Sequence, residues 1–373
     1  MKISYIANIR LPTEKAHGIQ IMKMCEAFAL LGHEVQIVVP RRANTLSVDL
    51  FEYYSVVPSA REKIHIVYTP SIELIKLGKI GFWIQTWIFA QLASFKMRKF
   101  RPGAVISRDV IVLLNMILIH PNLVWEAHRD SLNFATKLLL KKAKVVAISE
   151  GLMRLYFYHV PNPSRIRTIP DAVEIQKFSI PVTVPEARRK LCLPAEKKIA
   201  LYAGHLYDWK GAQVLALAAQ GFEENELAVF VGGTDFDIAA FTERNKDAKN
   251  IAILGRKPHS EIPYYLKAAD VLVIPNSAKV KISSHYTSPL KLFEYMASGK
   301  AIVASDLPSL REILDENTAF FVEPDNAESL RLGIQKLFKN GVQAAQLGNA
   351  AHTKVQNYTW EKRAKYISKF IQP

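Results

Sequence analysis

Short apolar runs alternate with amphipathic stretches from the first residues of the chain onward. Lys2 to Ala7 reads as a buried strand, Gly18 to Leu31 as an amphipathic helix stopped at Gly32, and Glu34 to Pro40 as the next strand. That order is a βαβ unit. The rhythm continues with strands expected at Lys63 to Tyr68, Ala104 to Ser107, Leu123 to Glu126 and Val145 to Ile148, and helices at Ile80 to Lys99 and Glu150 to Tyr158. The first half is therefore expected to be a mostly parallel sheet sandwiched by helices.

Between Pro161 and Pro194 the periodicity fails and prolines accumulate, including Pro170, Pro181 and Pro185, which reads as an interdomain linker. A second series follows, with short apolar strands at Ile199 to Ala203, Ala228 to Val231, Ile251 to Leu254, Val271 to Pro275 and Ala301 to Ala304, each leading into a helical segment. The fold class is α/β, with two doubly wound domains. Ligands in such sheets bind beyond the carboxyl ends of the strands, at loops that feed helix N-termini.

Composition agrees with this picture. A chain of 373 residues with 49% hydrophobic and 22% charged residues suits two packed domains and lies far from the disordered regime. Two distant cysteines, Cys25 and Cys192, cannot build a disulfide framework or a cysteine zinc cluster, so a reducing, cytoplasmic setting is expected. The longest uncharged stretches, Ile80 to Phe95 and Val110 to Trp125, are shorter than a membrane span, and Arg10 interrupts any apolar signal-peptide core. The net charge of +15 is uneven. Residues 1–180 carry 24 basic and 13 acidic residues, against 25 and 21 in residues 181–373, so an anionic partner is expected to meet the first half.

Several loops carry candidate chemistry. Gly204, His205, Leu206, Tyr207, Asp208, Trp209, Lys210 and Gly211 link a strand to a helix, but Lys210 precedes the second glycine, which excludes a Walker P-loop. No GxGxxG follows the first strand. In Ser288 to Gly299, Ser288 suits the N-cap, Pro289 the first helical position and Gly299 the C-terminal cap, so a short helix offers its N-terminus to phosphate. Glu294, one turn inward, either caps a neighbour or accepts from hydroxyls such as a ribose diol. Asp235, Phe236 and Asp237 have the DxD form that can hold a divalent ion, but they open a helix, and Thr234 or Asp235 as its N-cap explains them without metal. His128 ends a strand where a histidine can position a hydroxyl or stabilise charge. Gly18 allows close approach of a ligand to backbone or of one helix to its neighbour.

In their order and spacing these segments resemble the retaining nucleotide-sugar glycosyltransferases of the GT-B fold often called family 4. The likeness runs over nearly the whole chain, through the Gly18 helix to Val35, Glu126 to Asp130, Ala147 to Leu152, Ile169 to Phe178, Tyr202 to Gly211, Val231 to Gly233, Ala269 to Pro275 and Glu294 to Asp306. The resemblance implies a GT-B fold in which two Rossmann-like domains face a cleft. Residues 1–175 would bind the acceptor, residues 176–356 would bind the nucleotide sugar, and the helix from about 357 to 373 would pack back on the first domain. Glu294 would bind the ribose hydroxyls, Lys210 would neutralise the diphosphate, and Ser288 with the backbone of Leu290 and Lys291 would form the phosphate-binding helix end. His128 would lie near the donor sugar, Gly18 and Gly204 near the diphosphate, and Arg256 near the base.

Two positions depart from the family pattern. Tyr286 stands where the first glutamate of the paired-glutamate motif falls, and His205 replaces an arginine. The activity implied is transfer of a hexose-type sugar, with retention and without metal or cofactor, to a glycan or lipid-linked acceptor. The setting implied is cytoplasmic and peripheral to the inner membrane face, with no nucleic acid as partner. Gly81 to Arg101, aromatic and then basic, could rest on an anionic membrane or form a core helix. A nucleotide-sugar epimerase or hydrolase on the same fold, or a non-catalytic nucleotide-sugar-binding protein, are the alternatives.

Overall fold

The computed structural model of the chain describes residues 1–44, 46 and 48–372. It divides into two compact units, residues 1–171 with 360–373 and residues 172–359, where the sequence placed the changeovers at 175 and 357.

The first unit is a seven-stranded parallel sheet: β1 (Lys2–Ile6), β2 (Glu34–Pro40), β3 (Ile64–Thr69), β4 (Ala104–Ser107), β5 (Leu123–Ala127), β6 (Lys144–Ala147) and β7 (Ile166–Thr168). Their spatial order is β3-β2-β1-β4-β5-β6-β7, so the direction of winding reverses between β1 and β4. Strands β4 and β5 are buried at every position and β2 at every position after Glu34, as expected when helices cover both faces of a parallel sheet. The expected linker is not featureless: β7 and the helices Ile175–Phe178 and Val184–Lys190 form within it. Asn162 caps a short turn, Thr183 and Glu186 form a capping box, and these local bonds organise a segment without hydrophobic periodicity.

Helix Trp360–Ile371 belongs to the first unit. Arg363 Nη2 lies 2.6 Å from Glu126 Oε1, and Glu126 also accepts from Gln20 Nε2 at 2.7 Å and Tyr5 Oη at 2.5 Å. Both partners of that ion pair are almost wholly buried. Burial alone would raise the Glu126 carboxyl, but Arg363, His128 and Arg108 hold it well below the usual range, so it stays ionised. Glu126 is thus the buried anchor of the last helix.

The second unit holds β8 (Lys198–Ala203), β9 (Glu226–Val231), β10 (Ile251–Gly255), β11 (Val271–Ile274), β12 (Ala301–Ser305) and β13 (Phe320–Val322) in a parallel sheet of order β10-β9-β8-β11-β12-β13. Apolar side chains of β8, β9, β11 and β12 pack on both faces, one layer including Leu292, Phe293 and Met296 and the other including Leu215, Phe230 and Phe241. Winding reverses between β8 and β11.

Candidate functional site

The reversal between β8 and β11 opens the crevice in which doubly wound sheets take ligands. Three elements meet there. The loop after β8 begins with Gly204 at φ 142°, a conformation open to glycine, and ends in a 3-10 turn, Asp208–Lys210. Gly211 follows at φ 74°, and a Cβ on it would stand 1.7 Å from the Pro275 carbonyl oxygen beyond β11, so the loop and β11 can approach only through glycine. Helix Leu290–Ser298 supplies the third element and is tied to β8 by Tyr295, whose hydroxyl accepts from the Ala203 N–H at 2.7 Å. Gly299, at φ 69°, ends that helix. The helix begins one residue later than expected: Pro289 is the N-cap, because its ψ of 128° keeps it extended, and Ser288 lies buried just outside. Leu290 and Lys291 therefore present the opening N–H groups, which have no intrahelical acceptor.

Two lysines dominate the electrostatics. Lys291 is 9% exposed, its Nζ has no hydrogen-bond partner among the described residues, and it lies 3.9 Å from the centre of the Tyr202 ring. A Cβ on Gly204 would sit 3.8 Å from that same Nζ. Lys210 Nζ lies 3.9 Å from the centre of the Trp209 indole ring. Burial lowers Lys210 from its ordinary 10.5 to about 8. Burial and the charge of Lys210 push Lys291 well below its ordinary value, while Glu294 opposes the shift. Two desolvated ammonium groups that disfavour each other form a receptor for a multiply charged anion.

Glu294 is held from behind. His259 Nε2 lies 2.9 Å from Glu294 Oε1, and Lys177 Nζ lies 3.0 Å from His259 Nδ1. The lysine donates to Nδ1, which assigns the imidazole proton to Nε2, facing the carboxylate. Phe178 packs edge-on against the imidazole. His205 stacks on Tyr207 at 5.0 Å and accepts the Tyr202 hydroxyl at its carbonyl. Arg256 is exposed one residue beyond β10, and Tyr286 ends the short helix Lys281–His285. Asp235 and Asp237 open helix Asp235–Arg244, where Thr234 and Asp237 form a capping box. Among the described residues, no cluster of three or more His, Cys, Asp and Glu is arranged to hold a metal ion.

The remaining expected residues lie in the first unit. His128 follows β5, and its Nε2 stands 3.7 Å from Glu126 Oε1. Burial and Arg108 bring it down to about 4, so it is neutral at pH 7. Gly18 lies inside helix Ala16–Leu30, which starts two residues before the expected position. A Cβ on Gly18 would meet the Tyr54 hydroxyl at 2.3 Å, so close packing requires glycine there.

Sequence reasoning passed over His259, Lys177, Arg108 and Asn276. Asn276, two residues past β11, is wholly buried with no partner for its amide oxygen or nitrogen among the described residues. Its place beyond a strand facing the crevice was the available signal. Nothing near His259 in the sequence pointed to Glu294, 35 residues away.

Two Rossmann-like units, one with a cationic crevice at its switch point, define the GT-B class of protein. Sucrose-phosphate synthase from Thermosynechococcus elongatus superposes with a TM-score of 0.80 over 99% of this chain and 97% of that one, at 18% identity. Anabaena Alr3699/HepE in complex with UDP and glucose superposes with a TM-score of 0.76 over 99% and 98%, at 15% identity. Residues 183–354, which lie within the second unit, match the family model Glycosyl transferases group 1. In sequence the chain is 23% identical over 169 residues to the putative teichuronic acid biosynthesis glycosyltransferase TuaC of Bacillus subtilis, covering 45% of this chain and 40% of that protein. It is 25% identical over 238 residues to the D-inositol 3-phosphate glycosyltransferase of Corynebacterium diphtheriae, covering 60% and 54%. The chain spans about half the length of the curated relatives it matches.

Proposed function

We propose that the protein is a retaining glycosyltransferase, moving a hexose-type sugar from a nucleotide-diphosphate sugar to a glycan or lipid-linked acceptor without a metal ion. The observation that carries this reading is the Lys291 ammonium, without a hydrogen-bond partner among the described residues, beside Lys210 at the switch point of the second sheet. A diphosphate leaving group needs fixed positive charge, and the two lysines with the N-terminus of helix Leu290–Ser298 supply it. Glu294, oriented by His259, would accept from the ribose hydroxyls, and the Asn276 amide would take a further polar group of the donor. His128, neutral at pH 7, would contact the donor sugar by hydrogen bonding rather than by charge. In the retaining step the acceptor hydroxyl attacks from the face that the diphosphate leaves. The departing phosphoryl oxygen takes the acceptor's proton, so no protein nucleophile is required.

Because the Anabaena neighbour is described with UDP and glucose, UDP-sugars are the first donors to test. Incubation of the chain with UDP-, GDP- and ADP-sugars in EDTA, read by the anomeric proton signals of donor and product, tests the proposal. An acceptor-dependent product of unchanged anomeric configuration supports it. Loss of donor without acceptor, or an absolute need for metal, contradicts it.

A cytoplasmic, membrane-peripheral setting is part of the same proposal. Among the described residues no helix is long and apolar enough to cross a membrane. Helix Gly78–Phe100 buries Gln85, Thr86 and Ser94 yet exposes Ile80, Phe82, Trp83, Trp87 and Phe95, and Lys96, Arg98, Lys99 and Arg101 follow. An aromatic face next to basic residues suits an anionic bilayer surface.

A further inference from the structure

A second cationic site lies in the first unit, away from the residues discussed so far. Asn8 follows β1, Arg42 follows β2, and Thr69 to Ser71 end and follow β3, so three neighbouring strands point their carboxyl ends at one place. There Asn8, Arg42, Ser71, Gln85 and Phe89 line a small surface cleft that is partly open to solvent. Arg42 Nη2 donates to Asn8 Oδ1 at 2.6 Å, which fixes the guanidinium, while its Nε is buried with no partner among the described residues. The hydroxyl of Ser71, which also lines the cleft, is likewise buried with no partner among the described residues. Glu73 acts on Arg42 through space, but no ion pair joins them among the described residues.

Pro40, Pro70, Ile72, Ile88 and Phe89 complete the walls and limit access of water. A guanidinium can only donate, and partial desolvation makes an unneutralised charge costly. A bound oxyanion would satisfy the orphaned Nε–H, the Ser71 hydroxyl and the charge together, through charge-assisted hydrogen bonds. The placement sets its role. In the sheet order β3-β2-β1-β4-β5, three strand spacings, roughly 14 Å, separate the end of β2 from the end of β5, which His128 follows.

We propose that this cleft anchors an oxyanion of the acceptor, a phosphoryl or carboxylate group set apart from the hydroxyl that is glycosylated. The inference rests on the reading that the first unit holds the acceptor. It narrows the acceptor to an anionic one, such as a sugar phosphate, a pyrophosphate-linked glycan or a uronic acid.

The test uses the full chain with UDP present in excess, so that the lysine site is occupied. Inorganic phosphate, glucuronate and glucose are titrated separately and followed by ligand-observed NMR, on wild type and on the R42Q, R42K and S71A variants. Binding of phosphate or glucuronate but not glucose is expected. R42Q should weaken it at least tenfold, S71A several-fold, and R42K should recover part of the loss. Phosphate alone binding assigns a phosphoryl acceptor, and glucuronate alone a carboxylate. Failure of both anions to bind, or binding that R42Q and S71A leave unchanged, overturns the proposal. UDP binding is scored on the same samples. If UDP does not bind, the donor reading fails separately, and the nucleotide-free titration still decides whether Arg42 holds the anion.

Discussion

Replacing Lys210 by methionine should stabilise the unliganded protein while abolishing nucleotide binding. Burial lowers the Lys210 ammonium from 10.5 to about 8, which corresponds to about 3 kcal/mol of unfavourable free energy in the folded state. Lys210 is only partly buried and packs on the Trp209 ring. Solvent screening and the lost cation–π contact reduce the gain expected from K210M to ~2 kcal/mol. Because the folded-state value lies below the unfolded one, the unfolded chain holds more protons between about pH 8 and 10.5. The wild-type penalty is therefore full below pH 8 and gone above 10.5. For a unit of 188 residues (172–359), ~2 kcal/mol raises Tm by roughly 4–8 °C. Scanning calorimetry of wild type and K210M at pH 7, 9 and 10.5 checks this. The expected difference is largest at pH 7, declines at pH 9 and closes by 10.5, and K210M shows no further rise in Tm with nucleotide. A variant less stable than wild type at pH 7, or a difference independent of pH, would refute the reasoning.

Other outcomes follow from the same geometry. Nucleoside diphosphate binding should take up protons near pH 8, because the anion restores the lowered lysines; calorimetry in buffers of different ionisation enthalpy measures the uptake, and affinity should fall as pH rises. H259A frees Glu294 without touching the phosphate site, so nucleotide affinity should drop about tenfold, with a smaller change for a ligand lacking ribose hydroxyls. R363M leaves Glu126 charged in the core and should cost about 3–5 kcal/mol of stability in urea unfolding, much of it regained in the R363M/E126Q double variant. G211A places a methyl group against the Pro275 carbonyl at positive φ and should destabilise the second unit by more than ~2 kcal/mol, read as a lower Tm.

Elements with strong patterning were legible from the residues alone. β8 from Ile199 to Ala203 and β12 from Ala301 to Ala304 are unbroken apolar runs, β2 after Glu34 is broken only by Gln36, and the Leu290–Ser298 helix carries its own stop at Gly299. β7 and β13 were missed because three residues, Ile166–Thr168 and Phe320–Val322, are too few to set a period; they form because neighbouring strands offer free edges. The site was legible in outline, since glycines and a helix end mark where a phosphate-binding loop can be. What could not be read were contacts made by folding. Lys291 was valued for its backbone, whereas burial over Tyr202 makes its side chain the less solvated of the two cations. His259 became part of the site only when Lys177 and Glu294 were brought to its two nitrogens. Gly18, read as open to a ligand or to a packed neighbour, lies against Tyr54.

In the proposed function Lys291 and Lys210 together hold the diphosphate of a nucleotide sugar. Calorimetric titration of UDP, GDP and ADP in EDTA, on wild type and K291M, tests it most directly. At least one nucleotide should bind wild type without metal, and K291M should lose the binding while retaining its fold by circular dichroism. Binding of equal strength to both proteins, or binding to neither, would contradict it.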